Sequence, residues 1–165
     1  MTLEELNAAP EYAARDELLR CCGSTCWARQ MTEARPFSTV EALAETADKI
    51  WRGLARSDWL EAFAAHPRIG ESSSAGGEPW SEREQSGVRT ASAQVRDRLA
   101  AANREYEARF GYIFIVCATG KSAGEMLEIL EHRLTNRPEE ELPIAAEEQR
   151  KIMQLRLVRL LAPRV

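Results

Sequence analysis

The sequence predicts an all-α protein: one compact, bundle-like domain over residues 1–165, with seven or eight helices and one buried extended connection. Apolar residues recur at helical spacing along most of the chain, as they do on amphipathic helices. Capping-box pairs of Ser or Thr with Glu three residues later mark several helix starts. Only residues 112–118 read as a strand, and a strand without a partner leaves its backbone groups unpaired. We therefore interpret this run as the buried extended connection.

The first three predicted helices are short and separated by polar breaks. Thr2 and Glu5 form the capping box of the first helix. Pro10, whose fixed φ suits a first helical residue, begins the second helix, which runs to about Cys21. Ser24 caps the third. The buried sides are assigned, in order, to Leu3 and Leu6, to Tyr12, Leu18 and Leu19, and to Trp27 and Met31.

The next two helices carry the clearest amphipathic pattern. Ser38 and Glu41 form the capping box of the fourth helix. Its apolar stripe is Val40, Leu43, Ala44, Ala47, Ile50, Trp51 and Leu54. Either Ser57 or Asp58 caps the fifth helix. That helix is expected to end at His66, because the following proline disfavours helical geometry in the residue before it.

Three longer helices are predicted in the second half of the chain. The capping box of Ser81 and Glu84 begins the longest helix, which Gly111 ends. A further helix follows the capping residue Ser122, and Pro138 begins the last helix, with Pro143 in its first turn. The buried sides are assigned to Val88, Ala91, Val95, Leu99, Ala102 and Tyr106, then to Met126, Leu127, Leu130 and Leu134, and finally to Leu142, Ala145, Ile152, Leu155 and Leu160.

The composition excludes several function classes. A net charge of -4, with 29% charged residues, argues against binding to nucleic acid. No apolar run reaches the length of about 18 residues that a membrane helix needs, and the N-terminal residues lack a signal-peptide pattern, so a cytoplasmic location is expected. The cysteines form no Cys-x-x-Cys pair, and no histidine stands at ligand spacing from them, so no metal site is predicted.

Two neighbouring segments favour a polar pocket. His66 stands between the end of a helix and Pro67, and the carbonyl end of a helix favours the protonated imidazole. Glu84 and Ser81 stand at a helix start, where backbone donors also bind anionic ligands. The Gln85 amide can pair with an amide or urea edge. We expect the two segments to face each other across one pocket.

Each candidate also has a purely structural interpretation. His66 can be an ordinary structural histidine, and Glu84 can simply cap its helix. Arg156 lies among apolar residues, where it either extends its charge to water or binds a carboxylate through its planar fork. The pair Gly120 and Lys121 is too short a pattern to predict a phosphate site. His132, among charged residues, is expected at the surface.

Taken together, the motifs resemble the family of 2-oxo-4-hydroxy-4-carboxy-5-ureidoimidazoline decarboxylases, abbreviated OHCU decarboxylases. The resemblance covers nearly the whole chain in a consistent order. Its pieces are Arg35-Pro36-Phe37, residues 63–70, Ser81-x-x-Glu84-Gln85-x-Gly87, residues 110–118, Gly120-Lys121-Ser122, Glu128-Ile129-Leu130, Arg133-Leu134-x-Asn136 and Lys151-Ile152-x-x-x-Arg156-Leu157.

The resemblance implies an all-α homodimer that needs no metal or organic cofactor and binds a small-molecule substrate. The implied reaction is decarboxylation of OHCU to S-allantoin in urate breakdown. The catalytic residues of the family correspond to His66 and Glu84. The implied substrate-binding residues are Pro67, Ser81, Glu82, Arg83, Glu84, Gln85, Ile115, Val116, Cys117, Ala118, Thr119 and Arg156.

Two other classes of function stay open at this point. A helical binding module would keep the pocket for a purine-derived ligand without turning it over. A helical interaction protein would instead use its apolar stripes to bind a partner. Loss of His66 separates the enzyme from both alternatives, because neither depends on that imidazole for a rate.

Overall fold

The computed structural model describes residues 1–69 and 92–162. Within these ranges the chain forms eight α-helices and no β-strand, which confirms the predicted all-α class. The helices are α1 (Leu3–Ala8), α2 (Glu11–Cys21), α3 (Thr25–Glu33), α4 (Val40–Arg52), α5 (Arg56–Ala64), α6 (Ala93–Phe110), α7 (Ala123–Arg133) and α8 (Pro138–Leu160). None of these described helices is long and apolar enough to cross a membrane.

One compact unit comprises Met1–Ala62 with Gln149–Val165. Among its fully buried side chains are Leu6, Leu18, Trp27, Met31, Leu43 and Trp51. The prediction that Tyr12 is buried was wrong, because its side chain is 65% exposed. Helix α2 buries Ala14, Leu18 and Cys21, and the helical repeat puts Tyr12 on the opposite side. Leu155 of α8 is exposed for the same reason.

Several helix starts follow the predicted capping chemistry. Both capping boxes at Thr2 and Ser122 are formed, and the Ser24 hydroxyl accepts a hydrogen bond from the Trp27 amide. The start of α4 was predicted one residue early: Thr39, not Ser38, is the N-cap and accepts from the Ala42 amide at 3.0 Å. Val40 is exposed in the first turn of that helix.

Three further boundaries differ from the prediction. Pro10 is the N-cap of α2 and not its first helical residue. Helix α5 begins at Arg56, and the Asp58 carboxylate returns to accept from the Ala55 amide at 3.4 Å. Pro143 lies inside α8, beyond its first turn. Because proline has no amide hydrogen, α8 lacks one of its hydrogen bonds from residue i to residue i−4 at this position.

The prediction of one helix from Ser81 to Gly111 was wrong. Ser92 is extended, with φ -63° and ψ 154°, and its hydroxyl accepts from the Val95 amide at 3.3 Å. A serine with this geometry is an N-cap, so α6 begins at Ala93. The predicted end is correct, because Gly111 adopts φ 83°, a left-handed conformation in which glycine is favoured.

The second compact unit comprises Phe63–Glu148. Its core joins α6, α7 and the run 112–118, which is neither helix nor strand and is buried from Phe114 to Ala118, as its predicted burial requires. The buried cluster consists of Ile69, Leu99, Ala102, Tyr106, Phe110, Phe114, Val116, Ala118, Ala123, Met126, Leu127 and Leu130. A turn closed by the Lys121 amide and the Ala118 carbonyl then leads into α7.

The motif Arg35-Pro36-Phe37 has a structural role in the first unit. The Arg35 guanidinium donates through Nη1 to the carbonyl groups of Leu6 and Ala9, at 2.8 Å each. The side chain of Asn7 pairs with both main-chain groups of Phe37 at 2.9 Å. The bonds from Arg35 satisfy two carbonyl groups at the end of α1, where the last carbonyl groups have no partners within the helix.

Candidate functional site

The described ranges include only some of the predicted site residues. His66, Pro67 and residues 115–119 belong to the unit Phe63–Glu148, whereas Arg156 belongs to the other unit. The remaining five predicted residues lie outside the described part of the chain: Ser81, Glu82, Arg83, Glu84 and Gln85. The predicted pairing of His66 with Glu84 therefore stays a prediction.

His66 lies just after the end of α5. The helix ends at Ala64, two residues before the predicted boundary, and the His66 amide donates to the Phe63 carbonyl at 3.1 Å. His66 and Pro67 are half-buried, and they lie between the helix end and the buried Ile69. His66 thus follows the carbonyl end of α5, which agrees with the predicted position of the residue at a helix end.

The loop that carries His66 is fixed to α6 at two points. The Arg68 guanidinium forms a bidentate salt bridge with the Glu107 carboxylate, with Nε–Oε2 and Nη2–Oε1 distances of 2.8 Å. The buried Asn103 amide donates to the Ile69 carbonyl at 3.2 Å. Residues 103 and 107 are four apart and lie on one face of α6. One helix face therefore sets the position of the loop.

Several main-chain groups of the run 112–118 are already bound within the protein. The Ile115 carbonyl accepts from Arg133 Nη1 at 2.6 Å. The Cys117 amide donates to the Glu148 carboxylate at 3.1 Å, and the Cys117 carbonyl accepts from Lys121 Nζ at 2.7 Å. A ligand that contacts this run would therefore use its other main-chain groups. Lys121 serves here as an internal donor.

A buried polar network is hydrogen-bonded to this run through Arg133. Arg133 donates through Nε to Glu141 Oε1 at 2.6 Å, and the Tyr106 hydroxyl donates to the same oxygen at 2.7 Å. Asn136 Nδ2 donates to the other carboxylate oxygen at 3.0 Å. Burial raises the pKa of Tyr106; the Arg133 charge opposes this shift, and Glu141 adds to it. The Tyr106 hydroxyl therefore stays protonated and acts as a donor.

This network was not predicted, although the sequence contains a signal for it. Arg133 follows Met126 and Leu130 at the spacing of one helix face, and both of these residues are fully buried. A charged residue that continues an apolar stripe is expected to be buried with a partner. His132, the neighbouring residue, is exposed as predicted.

Arg156 is buried within the first unit. Its residue exposure is 6%, and Nη1 donates to the Arg20 carbonyl at 3.3 Å. The alternative in which its charge extends to water is therefore wrong. Cys21 and Cys22 are buried nearby, and burial raises the pKa of each thiol to about 12, with the Arg156 charge acting in the opposite direction.

The described residues contain no metal-binding group of side chains. Within residues 1–69 and 92–162, no group of three or more His, Cys, Asp or Glu side chains is arranged to hold a metal ion. The four cysteines all lie in the described ranges, and none of them forms a disulfide.

The chain is similar to proteins of known name. The sequence model of the family described as OHCU decarboxylase matches residues 7–158. The uric acid degradation bifunctional protein TTL of Arabidopsis thaliana is 42% identical over 88% of this chain, which spans only 46% of that protein. The 2-oxo-4-hydroxy-4-carboxy-5-ureidoimidazoline decarboxylase of Halalkalicoccus jeotgali is 26% identical, over 99% of this chain and 94% of that protein.

Solved structures agree with these sequence matches. A crystal structure of OHCU decarboxylase in the presence of (S)-allantoin is 42% identical, with a TM-score of 0.80 over 90% of this chain and 99% of that one. A crystal structure of (S)-allantoin synthase shares the fold, with a TM-score of 0.76 at 20% identity. Since the family model spans residues 7–158 and a 42% identical relative has the same fold, the chain belongs to the OHCU decarboxylase family.

Proposed function

We propose that this chain catalyses the loss of carbon dioxide from OHCU to give S-allantoin, in the breakdown of urate. The observation that carries the proposal is membership of the OHCU decarboxylase family over residues 7–158. The 42% identical relative crystallised in the presence of (S)-allantoin supports the same product. The proposal concerns the activity of this chain, which spans 46% of the Arabidopsis relative.

The chemistry needs proton transfer and orientation more than it needs an electron acceptor. When the bond to the carboxylate breaks, its electron pair passes into the conjugated ring, and the ring nitrogen that receives the charge takes up a proton. The hydroxyl on the same carbon loses its proton and becomes a carbonyl, while the neighbouring carbon, which carries the ureido group, gains one. Adding that last proton to one face gives a single enantiomer, so the protein must hold a proton donor in a fixed place.

We assign this proton transfer to His66. Two observations support the assignment: the half-buried position of the residue at the end of α5, and the attachment of its loop to Glu107 and Asn103. A rigid loop keeps the imidazole within reach of one face of a bound ring. Glu84, which lies outside the described residues, is assigned to the tuning of this imidazole.

The substrate-binding roles are proposed from the family resemblance. The Arg156 guanidinium is assigned to the substrate carboxylate, because a planar fork suits a carboxylate and this guanidinium is buried. The polar edges of the substrate are assigned to Ser81, Glu82, Arg83, Glu84 and Gln85. The ring and the ureido group are assigned to Pro67 and to the main chain of residues 115–119.

We also propose a homodimer, on the basis of the resemblance alone. Sedimentation equilibrium is expected to give twice the chain mass of 18.5 kDa. A monomer mass across the micromolar range would contradict this part of the proposal and leave the activity proposal untouched.

The activity is tested with freshly made OHCU, generated from urate by a uricase and a hydroxyisourate hydrolase. Circular dichroism follows the optically active product, and the intact protein is expected to accelerate its formation. His66→Ala should lower kcat by about 10²- to 10⁴-fold, the usual contribution of a positioned acid or base. His132→Ala is the matched control, because it removes the only other histidine, which is exposed.

The outcome separates the enzyme from the other classes of protein. Decay of OHCU at the same rate with and without the protein would contradict the proposal. Binding of the substrate without turnover, unchanged by His66→Ala, would instead indicate a binding module. Both variants should keep the far-ultraviolet spectrum and melting temperature of the unaltered protein, so that a loss of rate reports on chemistry.

A further inference from the structure

Arg133 and Glu141 form an ion pair whose burial needs an explanation. Their side chains are 6% and 0% exposed, and Arg133 Nη2 lies 2.6 Å from Glu141 Oε1. Removing two charges from water costs about as much as their attraction returns, so such pairs add little stability compared with apolar residues of the same size. A buried ion pair does restrict the conformation of the groups around it, because each of its donors and acceptors needs a hydrogen-bond partner at a defined position.

The group whose place is fixed is the Ile115 carbonyl. Arg133 Nη1 donates to it at 2.6 Å, while Nε of the same planar guanidinium is held by Glu141. Glu141 is held in turn by Tyr106 and Asn136. The guanidinium carbon also lies 4.6 Å from the centre of the Phe114 ring, so the group is constrained on its face as well as its edge.

We propose that Arg133 is a positioning residue, which holds the main chain of residues 115–119 in the conformation that meets the substrate. The inference rests on the proposed function, which assigns the ring and ureido contacts to this run. The run is held again at Cys117, through Glu148 and Lys121. Arg133 thus fixes the first residue of the segment, and the other two side chains fix its middle.

This role predicts a particular change in kinetics. Contacts to the ring and the ureido group are made in the bound substrate and in the transition state alike. Loosening them therefore raises KM and leaves kcat nearly unchanged. Loss of one well-placed hydrogen bond changes affinity about two- to tenfold, so a rise in KM of that size is expected. His66→Ala, by contrast, is expected to act on kcat.

Two variants test the role of Arg133 in the full chain. Arg133→Lys keeps the charge beside Glu141 but loses the fork that reaches the Ile115 carbonyl. Arg133→Met combined with Glu141→Gln removes both charges of the buried pair. Because neither charge is left unpaired, this double variant is expected to fold. The exchange of amide hydrogens in peptides covering residues 112–122, followed by mass spectrometry, reports on the run without any need for activity.

Two control variants separate positioning from stability. Arg98→Lys alters an arginine of the same unit that pairs with Glu131 but is 64% exposed, and it should change neither KM nor exchange. Leu43→Ala opens a cavity at a fully buried position in the other unit, and it should lower the melting temperature without raising KM. All kinetics are measured at a temperature where every variant is folded.

The expected result is a raised KM and faster exchange at residues 115–119 in both Arg133 variants, but in neither control. Native KM and native exchange in the double variant would overturn the inference, as would an equal rise in KM in Leu43→Ala. If the unaltered protein does not turn over OHCU, the proposed function fails. The hydrogen exchange then still decides whether Arg133 holds this run.

Discussion

Single residues of the same type have very different surroundings in this protein, and its thiols illustrate the point. Cys21 and Cys22 are fully buried, and Cys117 is nearly so. Cys26 is partly exposed and accepts a hydrogen bond from Gln30 Nε2 at 3.2 Å. Because a thiol must ionise and meet solvent in order to react, these four positions should differ strongly in reactivity.

We expect one thiol of the folded protein to react quickly with a disulfide reagent at pH 8. Cys26 has access to solvent, whereas burial raises the pKa of Cys21 and of Cys22 to about 12. The absorbance of the released thiolate gives the count, and the count should rise to four in denaturant, the number in the sequence. Cys26→Ser should abolish the fast phase; two or more fast thiols would contradict the assignment.

Residue roles were predictable where the chain itself restricts the backbone. Pro67 stops α5 close to His66, so the position of that histidine at a helix end follows from local chemistry. The burial of Arg156 did not follow in the same way, because an arginine among apolar residues can turn towards water or away from it. The packing of the folded chain decides between the two.

Among the helices, α6 links the proposed catalytic loop to the core. Asn103 and Glu107 on one of its faces hold the loop after His66, and Tyr106 between them reaches the network behind Ile115. Both assigned parts of the second unit are therefore linked to α6, the loop directly and the run 115–119 through Glu141 and Arg133. A change on this face should disturb the reaction more than it disturbs the fold.

Asn103→Ala is expected to lower the free energy of unfolding by about 1–3 kcal/mol, because it leaves the buried Ile69 carbonyl without its donor. We expect kcat to fall about ten- to a hundredfold in the folded protein, since a small displacement of a catalytic group is enough for such a loss. Urea unfolding and the OHCU assay measure the two effects.

The matched control for this prediction is Arg98→Gln. It removes an exposed ion pair that the same helix makes with Glu131, and such pairs contribute about 0–1 kcal/mol. Its kcat should equal that of the unaltered protein. An unchanged kcat in a folded Asn103→Ala variant would show that the loop does not depend on this hydrogen bond.

Helix boundaries were predictable where a side chain caps the backbone locally. The capping boxes at Thr2 and Ser122 needed no information beyond four residues of sequence. The helix start at Ser92 was missed because the apolar residues of the sequence recur at helical spacing on either side of it. A serine hydroxyl that caps a helix start favours a non-helical conformation at its own residue, and the apolar periodicity alone does not reveal this.

For the whole chain, the family motifs divide into structural and proposed functional parts. Arg35 binds the end of α1, and Arg133 and Asn136 hold Glu141, so these pieces of the resemblance act within the fold. The resemblance pointed to an all-α family from their order along the chain. It gave no information about these hydrogen bonds, because their acceptors, in Leu6 and Glu141, lie outside the matching pieces.

The stability of the whole molecule is expected to fall in alkali because of the two adjacent buried thiols. Cys21 and Cys22 have a reference pKa of 9.0, and burial raises it to about 12 in the folded protein. Above pH 9 the unfolded chain loses protons that the folded chain keeps, so the free energy of unfolding decreases as pH rises and levels off near pH 12. Below pH 9 both states hold these protons and the two thiols have no effect.

Urea unfolding at several pH values measures this fall, which should amount to about 2 kcal/mol between pH 9 and pH 10 for the two thiols together. The burial of Tyr106 acts in the same direction at higher pH, because its pKa is also raised. Cys21→Ala combined with Cys22→Ala should remove most of the loss between pH 9 and 10, while the two proteins should give parallel curves between pH 6 and 8. Equal alkaline slopes in both would mean that these thiols ionise freely in the folded chain, contrary to their burial beside Arg156.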